Sequence, residues 1–162
     1  MSSPEHKQKI WNLIKDIKVG MLTTIKADGE MRARPMHLVQ DDYDGTIWFY
    51  TSADKAKVDD IQQDHDICLT FSCPEDDTYV SMTGKARLTQ DKTLIDKYWN
   101  PFVAAWFLDG KESDDVALLE CKINKGEHWD STSSKTVQLF EIAKANLTDT
   151  TPDMGENEEF GT

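Results

Sequence analysis

The first half of the chain alternates apolar and polar residues in short runs, and residues typical of turns separate these runs. Alternation with a period of two indicates strands that bury one face. The predicted strands are 19–25, 31–39, 46–51, 67–72, 79–88, 116–123 and a short one through 128–130. Because tight turns join most consecutive strands, the pattern predicts a mainly β fold with flanking helices, in which about six to seven antiparallel strands form a barrel or a sandwich.

Helical spacing marks four other segments. The first helix is predicted to begin with Ser3 as its N-cap and Pro4 as its first helical residue, and an apolar stripe follows. Shorter helices are predicted over 54–63 and 91–98. The segment 135–147 fits helical spacing and also one face of a strand, and we favour the helix.

The composition changes at residue 148, where Thr, Pro, Asp, Gly and Glu begin to dominate. Segments with few apolar residues and many like charges cannot bury enough surface to order themselves. We therefore expect one domain over 1–147 and an acidic, disordered C-terminal tail over 148–162.

Charge restricts the partners of this 162-residue chain. Its formal net charge is −12 and its pI is near 4.6. Nucleic acids and anionic membranes favour proteins with a basic face, so we expect neither as a partner. A phosphorylated small molecule remains compatible with this balance, because distant charges are screened while a cation beside a phosphate is not.

Cysteine usage and hydropathy bear on the compartment. The three cysteines are odd in number and form no C-x-x-C pair. No apolar run approaches the roughly 20 residues that span a bilayer, and the N-terminus lacks the apolar region of an export signal. We therefore expect no disulfide framework, no membrane segment and a cytoplasmic location.

Cations and hydroxyls concentrate in one part of the sequence. Arg32 and Arg34, two of only three arginines, lie two apart in a predicted strand and so share one face. A second strand ends in Tyr50-Thr51-Ser52 and leads into a predicted helix that carries Lys55 and Lys57. Helix N-termini attract phosphates, so this region is a candidate phosphate site. The alternative is a solvated strand edge that its charges protect from aggregation.

Other chemistry has little support in the sequence. His37, His65 and His128 lack the spacing of metal ligands, so no metal site is expected. No nucleophile elbow, zinc-protease, P-loop or dinucleotide motif occurs. We interpret Asp114-Asp115 as turn residues, and the aromatic-rich stretch 99–110 as packing or a dimer interface.

Five motifs in a fixed order resemble a known family. They are Gly20-Met21-Leu22-Thr23-Thr24, Arg34-Pro35-Met36, Trp48-Phe49-Tyr50-Thr51-Ser52 with Lys57, Gly84-Lys85-Ala86, and Glu127-His128-Trp129-Asp130-Ser131. Their order over about 8–147 resembles the general stress protein 26-like branch of the pyridoxamine 5′-phosphate oxidase-like flavoproteins. The resemblance implies a split β-barrel (the FMN-binding split barrel) that dimerises and binds FMN, or alternatively FAD, at the subunit interface.

The resemblance also implies roles for individual residues. Arg34 and Lys57 match phosphate-binding residues, and Trp129 matches a tryptophan that the other subunit places near the flavin ring. Tyr79 stands where the oxidases have a flavin-contacting glutamine, and Ala56 replaces an arginine. The remaining cofactor-binding candidates follow the motifs: Pro35, Met36, His37, Tyr50, Thr51 and Ser52.

The implied function is that of a flavin-dependent oxidoreductase of a general stress response, with NADH or NADPH as electron donor. The oxidase's substrate-phosphate residues are poorly reproduced, with only Lys135 as a candidate, so pyridoxal phosphate synthesis is not implied. Two alternatives stay open: a flavin-binding sensor or store without turnover, and the same barrel with a deazaflavin or a haem ligated by His37 or His128. The sequence does not name a substrate.

Overall fold

The structure is a computed structural model that describes residues 3–54, 61, 65–131, 135–153 and 155–161, without the side chains of 135–137. Its helices are α1 (Pro4–Ile14), α2 (Lys92–Tyr98), α3 (Pro101–Ala104) and α4 (Lys135–Thr148). Its strands are β1 (Val19–Ile25), β2 (Met31–His37), β3 (Thr46–Ser52), β4 (Asp66–Cys73), β5 (Thr78–Thr89), β6 (Val116–Asp130) and β7 (Glu156–Gly161). The helix predicted over 54–63 lies almost entirely outside the described residues.

All described strand pairs are antiparallel and belong to one seven-stranded sheet. The strand order is β2-β1-β4-β5-β6-β3, and β7 also pairs with β6. This confirms the mainly β fold with flanking helices. Within the described pairing β2 and β3 end the path, so the sheet is not closed.

Strand β6 joins what the sequence predicted as two strands. It runs unbroken for 15 residues, with β3 paired to its first part and β7 to its last part. Its pairing with β5 contains a register shift, because Thr83 pairs with Lys125 but Gly84 pairs with Ile123, which leaves one extra residue in β6. A Cβ on Gly84 would lie 2.0 Å from the carbonyl oxygen of Lys122, so the close approach requires glycine.

The core lies on the inner face of the sheet, under helix α1. Ser3 caps this helix by accepting a hydrogen bond from the His6 amide, as the sequence predicted. Alternation along β3 buries Ile47 and Phe49, and α1 adds Ile10. A second, smaller cluster on the other side of β3 and β6 packs α2 and the aromatic stretch against the sheet.

The connection between β2 and β3 is held by one buried side chain. The Gln40 amide nitrogen donates to the carbonyl oxygens of Asp42 and Thr46, both at 2.8 Å. The Gln40 amide oxygen accepts from the backbone N–H of Trp48 at 2.8 Å. This side chain therefore substitutes for a neighbouring strand and fixes the start of β3 against the end of β2.

The structure differs from the predicted disordered tail in the last part of the segment that begins at residue 148. Residues 156–161 form β7, which pairs with 125–130 of β6. Phe160 is 7% exposed and belongs to the core cluster. Its ring lies over Gly126, where a Cβ would come within 2.4 Å of it. One buried aromatic side chain and a strand ladder thus outweigh the acidic composition of this segment.

The C-terminal helix was predicted correctly, since α4 spans Lys135–Thr148. Among the described residues, no helix combines the length and the apolar character that crossing a bilayer requires.

We expect Phe160→Ala to lower the free energy of unfolding by about 3 kcal/mol, the scale for removing a buried aromatic ring. Urea unfolding followed by circular dichroism measures the difference. The matched control is Glu159→Ala in the same strand, whose side chain is exposed and whose loss should cost less than about 0.5 kcal/mol. Equal stabilities of the two variants would contradict the anchoring of β7 by Phe160.

Candidate functional site

A cleft of about 550 Å³ opens between the ends of β2 and β3 and the aromatic stretch. Six residues singled out in the sequence line it: Pro35, Met36, His37, Tyr50, Thr51 and Ser52. Further lining residues are Val39, Phe102, Val103, Trp106, Phe107 and Asp115. Polar and apolar residues of the two strands therefore form one wall of the cleft, called the strand wall. The opposite wall is apolar and largely aromatic, and is called the aromatic wall.

Strand alternation separates the two faces of β2 and β3 at this cleft. Met36 and Thr51 are buried toward the core, whereas His37 and Tyr50 are only partly buried. The His37 ring stacks on Phe102, with ring centroids 4.2 Å apart and planes inclined by 26°. This contact joins the strand wall to the aromatic wall.

The aromatic wall is built around the short helix α3. Asn100 caps this helix, since its side-chain oxygen accepts from the Val103 N–H at 3.0 Å. Phe107 packs inward against Tyr50, with ring centroids 6.3 Å apart. Trp106, in contrast, is 74% exposed. The stretch interpreted as packing or interface therefore supplies both core contacts and a wall of the cleft.

Tyr50 contributes its ring to the cleft but not its hydroxyl. The hydroxyl donates to the carbonyl oxygen of Ile95 in α2 at 2.5 Å. Burial, with a smaller contribution from the nearby Asp96 carboxylate, raises the pKa of Tyr50 well above its usual value. The hydroxyl stays protonated and serves to tie β3 to α2.

Carboxylates surround the hydroxyl of Ser52. Ser52 Oγ lies 2.6 Å from Asp54 Oδ1 and also contacts Asp115 Oδ1. One hydroxyl has one proton and can donate to only one of the two carboxylates at a time. Asp115 does lie in a turn, as the sequence indicated, but it also lines the cleft, for which the sequence carries no signal.

Arg34 lies beside the cleft and not among its lining residues. Its guanidinium Nη1 donates to Thr24 Oγ1 at 2.7 Å, on the face of β2 that also carries Met36. Arg32 shares this face by alternation and is exposed. Lys55 and Lys57 fall outside the described residues, so the second half of the predicted phosphate site is not described.

Tyr79 and Trp129 do not line this cleft and lie next to each other at a different position on the sheet. They are directly paired across β5 and β6, with 37% and 40% exposure. Both line a second concavity of about 640 Å³, which also includes Asn157 of β7. The resemblance assigned ten residues to one flavin site. Six of them line the cleft, Tyr79 and Trp129 line the second concavity, Arg34 lines neither, and Lys57 lies outside the described residues.

The histidines considered as haem ligands differ in position. His37 lines the cleft, whereas His128 is fully buried under the sheet and does not line it. Of this pair, only His37 could ligate a group bound in the cleft.

Comparison with known proteins gives a consistent result. The family model described as "Pyridoxamine 5'-phosphate oxidase like" matches residues 5–153. General stress protein 26 of Bacillus subtilis is 32% identical over 123 residues, which cover 74% of this chain and 85% of that protein. These findings confirm the resemblance inferred from the motifs.

Two solved structures are similar in fold and in sequence. A general stress protein 26 from Jannaschia sp. has a TM-score of 0.73 and 31% identity, covering 95% of this chain and 96% of that one. The general stress FMN/FAD binding protein from Xanthomonas citri has a TM-score of 0.69 and 33% identity, covering 82% and 93%. The fold is the split barrel of these proteins, with the sheet path open between β2 and β3.

Proposed function

Since the chain belongs to the pyridoxamine 5′-phosphate oxidase-like family, we propose that it binds a flavin nucleotide, FMN, in the cleft between β2, β3 and the aromatic wall. The observation that carries the proposal is the convergence of six motif residues on one cleft of about 550 Å³. Cofactor sites have volumes of roughly 300 to 1,000 Å³ and combine apolar walls with a few polar groups.

The cleft fits a flavin ring on chemical grounds. Phe102, Trp106 and Phe107 offer an apolar surface to an aromatic ring system. In the described pairing β2 has a strand neighbour on one side only, so its other edge can offer backbone groups to the polar edge of the ring. In this arrangement the segment from Pro35 to Val39 runs along the ring.

The phosphate end is proposed to lie near Arg34, Thr51 and Ser52; the motif match adds Lys57, which lies outside the described residues. This assignment rests on the motif match and on the position of Thr51 and Ser52 at the end of β3. The guanidinium of Arg34 lies on the same face of β2 as Met36, which borders the cleft. A terminal phosphate held by these groups favours FMN over FAD.

The second concavity supports a shared site. Trp129 and Tyr79 lie together outside the cleft of their own chain. We propose a homodimer in which Trp129 of a second copy completes each cleft, so that the flavin lies between two subunits.

A bound flavin would supply electron transfer, and the protein would supply binding, orientation and shielding from water. We propose an oxidoreductase that takes electrons from NADH or NADPH. We also propose a role in a stress response, since two of the similar proteins are named general stress proteins. The free cysteines Cys68, Cys73 and Cys121 suit a reducing cytoplasm. We do not propose pyridoxamine 5′-phosphate as its substrate.

Titration of the apoprotein with FMN, FAD and riboflavin, followed by flavin fluorescence, tests the proposal. We expect saturable binding of one FMN per chain, with weaker binding of riboflavin because it lacks the phosphate. Light scattering on the loaded protein should give the mass of a dimer. A monomer that retains FMN tightly would contradict the shared site.

Anaerobic addition of NADH or NADPH to the flavin-loaded protein distinguishes an enzyme from a binding module. Bleaching of the flavin absorption at a rate compatible with turnover supports the oxidoreductase. A flavin that stays oxidised with both donors would leave flavin binding intact and exclude these two donors.

We expect Arg34→Ala to weaken FMN binding by about 1 to 3 kcal/mol, the scale of a charged hydrogen bond. Riboflavin affinity should not change, because the lost contact concerns the phosphate. Arg32→Ala is the matched control from the same strand and should cost less than about 1 kcal/mol. An FMN dissociation constant that is equal in wild type and Arg34→Ala would remove Arg34 from the site.

The carboxylate of Asp115 should oppose an anionic ligand in the cleft. We expect Asp115→Asn to tighten FMN binding by about 1 kcal/mol, roughly fivefold, at low salt, through loss of charge repulsion. The gain should shrink as salt is added and be absent for riboflavin. Equal gains for both ligands would point to a change in cleft shape, and no gain for FMN would place the phosphate away from Asp115.

A further inference from the structure

Two imidazoles and a carboxylate meet under the sheet, away from the cleft. His6 lies on α1, His128 on β6 and Glu158 on β7. One potential ligand atom of each residue lies within 4.8 Å of those of the other two. His128 and Glu158 are direct partners in the β6–β7 ladder, and α1 brings His6 to the same place.

The histidines of this cluster have polar atoms without hydrogen-bond partners. His128 is 0% exposed, and both of its ring nitrogens are buried with no hydrogen bond, as is Nε2 of His6. His128 Nε2 lies 3.5 Å from Glu158 Oε2, a distance longer than that of an ordinary hydrogen bond. Buried polar atoms are almost always satisfied, so this arrangement calls for a ligand.

We propose that His6, His128 and Glu158 bind a divalent transition-metal ion, with Zn²⁺ as the best match. Two imidazole nitrogens and one carboxylate oxygen are a donor set that Zn²⁺ uses with a fourth position open to water. Mg²⁺ and Ca²⁺ prefer oxygen ligands and fit less well. Tetrahedral zinc with bonds of about 2.1 Å separates its ligand atoms by roughly 3.4 Å, close to the 3.5 Å between His128 Nε2 and Glu158 Oε2.

Neighbouring residues hold this cluster in place. The His6 ring packs against Phe160 with ring centroids 5.6 Å apart. Lys9 Nζ lies 3.4 Å from Glu158 Oε2 and 3.0 Å from Glu156 Oε2. Lys9 would compete with a metal ion for the Glu158 carboxylate. If Glu158 bound the metal, Lys9 would keep Glu156 as its ion-pair partner.

The alternative is a direct ion pair without a metal. A pair between His128 and Glu158 would use one nitrogen of His128 and would leave Nε2 of His6 without a partner. A metal ion, in contrast, can be bound by both imidazoles and the carboxylate together.

Zinc titration of the tag-free, chelator-treated full chain tests the proposal. We expect one Zn²⁺ per chain by isothermal titration calorimetry, and a rise in the unfolding temperature because the ion joins α1, β6 and β7. Co²⁺ as a probe should give the intense visible absorption of a four-coordinate N/O site. Mg²⁺ should have no effect on the unfolding temperature.

Variants locate the ion. We expect His6→Gln and Glu158→Gln each to raise the Zn²⁺ dissociation constant at least about tenfold. His65→Gln is the matched control, because His65 is exposed and lies outside the cluster. A Cys68→Ser/Cys73→Ser protein should bind as wild type does, which excludes the partly exposed thiols. Circular dichroism verifies that each variant is folded.

Three outcomes would overturn the proposal: no Zn²⁺ binding at micromolar concentration by folded wild type, unchanged affinity in both His6→Gln and Glu158→Gln, or loss of binding in the cysteine variant. Since none of these residues lines the cleft, each of these tests can be made on the flavin-free protein.

Discussion

The hydrogen-bond ladders of β6 are the constraint on which the rest of the structure depends. This strand pairs along one edge with β5, while β3 and β7 share its other edge end to end. Its first part places β3, which carries Tyr50 and Ser52 into the cleft, and it follows directly on Asp115. Its last part carries His128 and Trp129 on opposite faces. Gly84 permits the pairing of β5 with β6 at the register shift, because any side chain there would collide with the backbone of β6.

Local patterns predicted the strands wherever alternation and turn residues coincide. The bounds of β1 match the prediction at both ends, and β3 differs by one residue. The prediction failed where tertiary contacts override local signals. Residues 124–126 resemble a turn in sequence, yet the strand continues through them, and Lys125 and Gly126 pair with both β5 and β7. The last strand is anchored by one aromatic residue in an acidic segment, and no local pattern predicts that Phe160 finds a place over Gly126.

The sequence motifs indicated the cleft residues on β2 and β3, but not the residues of the wall that faces them. Ordered motifs indicated six cleft residues from β2 and β3 because they follow one another along the chain. Asp115 and Phe102 reach the cleft only through the course of the chain between α2 and β6, which spacing cannot indicate. For the same reason, a search for local metal-ligand spacing could not find a cluster whose members are His6, His128 and Glu158. Tyr50 was a cofactor-binding candidate in the sequence, but its hydroxyl donates to the carbonyl oxygen of Ile95.

The two proposed sites meet at adjacent residues of one strand. Because side chains alternate across a sheet, His128 points under it while Trp129 points outward, beside Tyr79 and Asn157. An ion held by His128 and Glu158 would fasten β7 to β6 directly beneath Trp129. If Trp129 completes the cleft of a second copy, the order of this strand pair contributes to flavin binding without any contact with the flavin. The C-terminal segment, acidic and unremarkable in composition, would then support the half of the site that each chain supplies to its neighbour.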